Sequence, residues 1–298
     1  MQLKESLTSA IARLTAENVP SPHMNAELLL MFTLGCDRAY FYAHPERALT
    51  ADEQSRYESA LAERARGVPA QYITGHQEFW GMDFIVSPAV LIPRPETEHV
   101  IETVRELETS DLRPQTSGKT RGPEVRRLRS DVRVVDVGTG SGCIALALGR
   151  ELPDAEIHAT DISAAALEIA RANAARHQLE NRIQFHQTDL IEGLKPDFDF
   201  IVSNPPYVGE SEEDQVQLEV RKFEPRVAVF AGPSGIEVII RLISQAQAAL
   251  RPGGWLVMEI SGTIANEVSR LLKGWEEVRI TSDLQGIPRV ARARKPQR

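Results

Sequence analysis

Cysteine is nearly absent from this chain of 298 residues: Cys36 and Cys143 are the only two. They cannot build a disulfide scaffold, and no ligating side chain stands near either at metal-site spacing, so no metal is expected. The seven histidines are scattered and read as ordinary surface or core residues. Basic residues are outnumbered, 34 to 42, leaving a net charge of −8. Such a balance gives no bulk attraction to phosphate backbones, and no stable nucleic-acid binding is expected. Nowhere does an apolar run approach the roughly 18 residues of a membrane span. The opening MQLKESLTSAIARL lacks the basic start and apolar stretch of a signal peptide. No membrane association and a cytoplasmic location are the expectations. No internal repeat is visible.

What is present is globular composition, 42% hydrophobic and 26% charged, in a length that allows one large domain or two smaller ones. Over the first 75 or so residues the pattern is helical. Leu3, Leu7, Ile11 and Leu14 fall on one helical stripe. Ser21-Pro22 opens a second helix through Leu28–Leu30 and Phe32, and Thr50 with Glu53 forms a capping box for another through Tyr57 and Leu61, ended by Gly67 and Pro69. This region carries no chemistry of its own; partner recognition and a simple folding cap are its two readings.

From Phe79 to Ile92 the chain turns rich in β-formers and reads as a short hairpin. Pro93–Glu96 stiffen it ahead of a helix through Val100, Ile101, Val104 and Leu107. Residues 109–130, polar with Pro, Gly and several Arg, read as a linker. Strand-like runs then alternate with helical ones: Val132–Val137, Glu156–Thr160, Ile183–His186, Phe198–Val202 and Trp255–Ile260, with two final strands near Val278–Ile280 and Arg289–Ala293. Alternation of this kind predicts an α/β fold, a mostly parallel doubly wound sheet with helices on both faces.

Gly138-Thr139-Gly140-Ser141-Gly142 follows the first strand and precedes a helix. In a doubly wound sheet that is the carboxyl end where ligands bind, and glycine lets backbone pass close to them. The spacing G-x-G-x-G departs from the G-x-G-x-x-G of dinucleotide sites. It suits a nucleoside joined to methionine, which has no pyrophosphate to cradle. Asp161 ends the second strand, about 20 residues on, where an acid can accept both ribose hydroxyl protons; capping the next helix is its other reading, a role Ser163 can equally fill. Asp189 and Leu190 end the third strand, placed to flank an adenine, although a plain turn accounts for Asp189 as well.

Asn204-Pro205-Pro206-Tyr207 follows the fourth strand, at the same sheet end as the glycine loop. Two prolines fix φ and remove two N–H donors, leaving a rigid corner with carbonyls free to accept. The Asn204 side-chain oxygen and the Pro205 carbonyl can each take one hydrogen of an NH2 group on a planar π-system, and Tyr207 offers an aromatic face. The nitrogen lone pair then points out of plane toward a methyl donor. An amide nitrogen is a poor nucleophile, so catalysis must come from a held near-attack geometry, with two acceptors favouring the charge that grows on nitrogen.

With these pieces in view the chain resembles the release factor glutamine methyltransferase family over nearly its whole length. The resemblance rests on Tyr72-Ile73-Thr74-Gly75, on Val90-Leu91-Ile92-Pro93-Arg94-Pro95-Glu96-Thr97-Glu98, on the glycine loop and Asn-Pro-Pro-Tyr, and on Glu224-Pro225, Asp283–Gly286 and Arg289-Val290. Asn-Pro-Pro-Tyr alone is shared with enzymes that methylate amino groups of DNA and RNA; the Pro-Arg-Pro-Glu segment is more particular. The resemblance implies a helical substrate-recognition domain (1–76), a hairpin, helix and polar linker (77–130), and a seven-stranded class I methyltransferase-like domain (131–298). It implies S-adenosyl-L-methionine as cofactor, contacted by Gly138 to Gly142, Asp161, Asp189, Leu190 and Asn204. The implied substrate is the glutamine of the Gly-Gly-Gln motif in class 1 peptide chain release factors, held by Asn204 through Tyr207, with Asn204, Pro205 and Tyr207 carrying the chemistry. A ribosomal-protein glutamine and adenine N6 of DNA or RNA are the alternative acceptors. Leu190 stands where the family often has tryptophan, and Gly232-Pro233-Ser234-Gly235 replaces a more usual Gly-Asp-Gly.

Overall fold

The computed structural model describes residues 1–111 and 132–297. They divide into two compact units: Met1–His76 with Gln217–Phe223, and Gln77–Val216 with Glu224–Arg298.

The first unit is helical, with α1 (Leu3–Ala16), α2 (Pro22–Leu34), α3 (Arg38–Ala43), α4 (Ala51–Ala65) and α5 (Ala70–Thr74), joined by the short helix Leu218–Phe223. The expected stripe on α1 is realised: Leu3 and Leu14 are buried, and Leu7 and Ile11 pack against the same core. The capping box on α4 is present, with Glu53 N–H donating to Thr50 Oγ1 (3.2 Å) and Thr50 N–H donating to the Glu53 carboxylate (2.9 Å). Arg64, at the end of α4, is 3% exposed. It is tolerated there because each face of the guanidinium is matched: Nε to Asn25 Oδ1 (2.7 Å), Nη1 to the Val68 carbonyl (3.1 Å) and Nη2 to Glu219 (2.5 Å). The sequence pattern gave no notice of α3 and α5, which are too short to display a helical period.

The second unit opens on the hairpin of β1 (His76–Phe79) and β2 (Met82–Ile85). Its turn, Trp80-Gly81, has both φ values positive, +54° and +65°, the geometry that matches strand twist. The hairpin is shorter than expected. Val90 and Ile92 are buried but belong to no strand; Pro88 breaks the ladder, and the Ile92 N–H donates instead to the Glu224 carboxylate (3.1 Å). A 3-10 turn, Pro95–Thr97, leads into α6 (Glu98–Asp111), which buries Val100, Ile101, Val104 and Leu107. The expected linker over 109–130 therefore starts later, since 109–111 continue α6; its remainder lies outside the described residues.

Seven strands form the main sheet: β3 (Arg133–Val137), β4 (Glu156–Asp161), β5 (Ile183–Gln187), β6 (Phe198–Ser203), β7 (Leu250–Glu259), β8 (Glu276–Ser282) and β9 (Pro288–Arg294), in spatial order β5-β4-β3-β6-β7-β9-β8. β3 to β7 pair in parallel, while β9 pairs antiparallel with β7 and with the edge strand β8. The fold is the expected α/β class. The central strands are buried on both faces and largely apolar on both, Asp136 and Asp199 excepted, because both faces are covered. Val134, Phe200, Trp255 and Val257 enter one core with α6 and α7 (Cys143–Glu151); Val135, Ile201, Leu256 and Met258 enter the other with the helix Glu237–Ala249. Between β3 and β6 the chain order reverses, opening a crevice at the carboxyl ends. Among the described residues no helix is long and apolar enough to cross a membrane.

Candidate functional site

The glycine loop occupies that crevice at the end of β3. Gly138, Gly140 and Gly142 all have positive φ, +70°, +55° and +84°, which a side chain would resist. The loop is held from below by β4: Thr139 N–H donates to the Thr160 carbonyl (2.8 Å) and Gly140 N–H to Asp161 Oδ2 (2.9 Å). Asp136, inside β3, is fully buried; its Oδ2 accepts from Thr139 Oγ1 (2.6 Å) and Ala145 N–H (3.1 Å). Burial pushes its carboxyl up to about 7, against the pull of those two donors. Asp136 Oδ1, Ser141 Oγ and Thr160 Oγ1 are buried without hydrogen-bond partners, an uncommon concentration of unsatisfied polar atoms around one loop.

Asp161 sits between loop and helix. Its Oδ1 accepts from Ser163 N–H (2.9 Å), while Ser163 itself caps α8 (Ala164–Arg176) by accepting from Ala166 N–H (3.2 Å). Of the two readings of Asp161, helix capping is thereby removed. Burial raises its carboxyl as well. Asp189 pairs with Arg241 (2.5 Å). Leu190 holds φ +55°, a left-handed conformation that costs a non-glycine residue about 1–2 kcal/mol.

A cavity of about 220 Å³ is lined by Gly138, Thr139, Gly140 and Ser141 of the loop, by Asp161, Asp189 and Leu190, and by Asn204 and Pro206 from beyond β6. Of the residues singled out in the sequence, Gly142, Pro205 and Tyr207 are not in this lining. Gly142 has a different reason to be glycine: an added Cβ would come 2.7 Å from Leu146 Cδ1 and 3.3 Å from Ala170 Cβ.

Beyond β6 the corner is tied to its neighbours by side chains. Asn204 Nδ2 donates to Thr97 Oγ1 (3.0 Å), Thr97 Oγ1 donates to Glu259 Oε2 (2.6 Å), and the Tyr207 hydroxyl donates to Glu259 Oε1 (3.2 Å). Glu259 is 2% exposed, and burial raises its carboxyl despite both donors. The Tyr207 phenol is raised, by burial first and then by the Glu259 charge. Arg94 lines the cavity and pairs with the buried Glu224, which gives the Pro-Arg-Pro-Glu segment and Glu224-Pro225 one shared anchor. Sequence reasoning missed Thr97, Glu259 and Asp136 as site residues. Asp136 and Glu259 carry a signal in the sequence, since a carboxylate inside VVDVG and another inside WLVMEI each interrupt a buried strand, where a charge needs a purpose; Thr97 carries none.

Residues 5–75 match the PrmC N-terminal domain and residues 125–222 the methyltransferase small domain. A release factor glutamine methyltransferase of Koribacter versatilis is 52% identical over 298 residues, 99% of each chain. Those of Chlorobaculum tepidum and Rhodopirellula baltica are 39% and 36% identical, covering 96% and 92% of this chain and 94% and 90% of theirs. Among solved structures, the hMettl16 catalytic domain in complex with a MAT2A 3′UTR hairpin superposes with a TM-score of 0.55 at 19% identity, covering 80% of this chain and 82% of that one, a likeness of fold.

Proposed function

Because the chain belongs to the release factor glutamine methyltransferase family, we propose that it methylates N5 of the glutamine in the Gly-Gly-Gln motif of class 1 peptide chain release factors, in the cytoplasm, with S-adenosylmethionine as donor. The observation that carries this reading is the placement of Asn204 and the glycine loop in one cavity. The buried, unpartnered Ser141 hydroxyl and the Asp161 carboxylate suit a nucleoside with an amino-acid tail. In this reading Gly138 to Ser141 pass beneath the tail, Asp161 accepts the ribose hydroxyls, and Asp189 and Leu190 flank the adenine; Gly142 acts through packing. When bound, the cofactor supplies an electrophilic methyl carbon on sulfur.

The protein's part is positional. Asn204 Oδ1, which has no hydrogen-bond partner among the described residues, accepts one hydrogen of the substrate carboxamide. The Pro205 carbonyl accepts the other, and Pro206 keeps the corner stiff. Two acceptors in one plane leave the nitrogen lone pair facing the donor and favour the positive charge that develops there. The second N–H proton leaves to solvent after the N–C bond has formed, so no strong base is required. The helical unit, Met1–His76 with Gln217–Phe223, recognises the release factor.

The test is mass spectrometry of a purified release factor incubated with the protein and S-adenosylmethionine, beside a ribosomal protein and an adenine-containing oligonucleotide. A gain of one methyl on the Gly-Gly-Gln glutamine is expected, falling at least about 100-fold in Asn204→Ala. Methylation confined to either other acceptor, or wild-type turnover by that variant, refutes the assignment.

A further inference from the structure

A carboxamide has two ends of nearly equal size and opposite hydrogen-bonding character. Asn204 can accept from a substrate NH2 only if its oxygen, not its nitrogen, faces the cavity. A flipped side chain would present two N–H donors to an NH2 group and repel it. Something must choose between the two orientations, and Asn204 cannot choose alone.

The choice is built from residues outside the motif. The parallel register pairs Ser203 with Met258, so Asn204 and Glu259 follow at adjacent strand ends. Between them stands Thr97, 2% exposed, from the Pro95–Thr97 turn. A hydroxyl has one proton. Thr97 gives its proton to Glu259 Oε2 at 2.6 Å. Its oxygen can then only accept from Asn204, and the Nδ2 donor is found there at 3.0 Å. The Tyr207 hydroxyl donates to the remaining carboxylate oxygen (3.2 Å), so Glu259 receives on both sides and the direction of the chain is set from its buried end.

We propose that Glu259 and Thr97 are positioning residues that fix the orientation of the Asn204 carboxamide, turning its oxygen toward the substrate amide. The proposal rests on the glutamine-methylating reading above and adds to it the source of the corner's polarity. Replacing Glu259 by glutamine preserves shape but puts an N–H donor in the chain. Thr97 can then accept from residue 259 and donate its own proton to Asn204, which favours the flipped amide. Thr97→Val removes the relay; Thr97→Ser keeps it.

Two readouts on the full-length protein separate this from a merely structural role. In the glutamine assay, run below each variant's unfolding transition, kcat/KM falls about 100-fold in Glu259→Gln and Thr97→Val and stays within a few-fold of wild type in Thr97→Ser. Independently of turnover, the side-chain amide protons of Asn204, followed by 15N NMR and assigned by their loss in Asn204→Ala, exchange slowly in wild type and Thr97→Ser. They lose that protection in Thr97→Val and shift in Glu259→Gln. Wild-type turnover and an unchanged Asn204 amide signal in Glu259→Gln overturn the proposal. A wild-type protein that leaves release-factor glutamine unmodified, yet shows the predicted pattern of amide protection, defeats the assigned reaction while the orienting chain stands.

Discussion

Asp136 lies behind the glycine loop as a carboxyl group without solvent, with one oxygen held by Thr139 and Ala145 and the other unpartnered. Burial moves it from an ordinary 3.8 to about 7. A difference of about 3 pH units at about 1.36 kcal/mol each corresponds to about 4 kcal/mol. The sign follows from proton counting. Below 3.8 both folded and unfolded chains carry the proton, and Asp136 contributes no pH dependence. Between 3.8 and about 7 the unfolded chain has released it and the folded one has not, so stability falls as pH rises, by up to about 1.4 kcal/mol per unit. Above about 7 both are ionised and the loss is complete. Asp136→Asn has no proton to release. The difference in unfolding free energy between variant and wild type should therefore grow in the variant's favour by about 4 kcal/mol between about pH 4 and about pH 7, then level off. Contributions from groups not coupled to Asp136 cancel in that difference; Asp161 and Cys143, which feel its charge, are the exceptions. Urea unfolding of both proteins without added ligand, across buffers from about pH 4 to about pH 8, measures it. Parallel pH dependence in the two proteins would refute the assignment, whatever the constant offset between them. About 4 kcal/mol is a large share of the 5–15 kcal/mol by which domains are stable, so the effect is well within reach of the assay.

Three further outcomes are expected. Asp161→Asn weakens S-adenosylmethionine binding about 10- to 100-fold by calorimetry, since it removes a charged acceptor; unchanged affinity separates Asp161 from the ribose. Gly142→Ala meets both a positive φ of +84° and an approach of 2.7 Å to Leu146; it should destabilise by about 2 kcal/mol in chemical denaturation, and a neutral result would show that α7 shifts freely. Arg64→Ala leaves the partly exposed carboxylate of Glu219 and the Oδ1 of Asn25 without their Arg64 donors, at a cost of about 2–3 kcal/mol; a midpoint equal to wild type argues against that network.

The strands and long helices were readable because β3, β6 and β7 are largely apolar runs, β4 alternates with helical stretches on either side, and α1 and α4 carry stripes and caps. The glycine loop, Asp161 and Asn204 were readable because chain position relative to a strand end predicts position relative to the crevice. Three things were not. Val90–Ile92 has strand composition, yet the Val90 N–H donates to the Ser87 carbonyl in a turn and the Ile92 N–H to the carboxylate of Glu224, distant in sequence. Leu190 gave no sign of a left-handed backbone, because only the fold imposes it. The link between Thr97 and Glu259 was hidden for the same reason: it exists only where the two meet each other and Asn204, and strand register decides that meeting.

The seven residues Gln217–Phe223 count with the helical unit although the chain before and after them belongs to the other. The backbone therefore passes from one unit to the other three times, at 76–77, 216–217 and 223–224. A gene cut at codon 76 would not yield two finished pieces. The amino-terminal fragment would retain Arg64 with no Glu219 to neutralise it, and the carboxy-terminal fragment would carry the orphaned short helix Leu218–Phe223 downstream of Tyr207. Exchanging the helical unit between two such chains would thus require transplanting two stretches of sequence together, and substitutions in one stretch are constrained by the other.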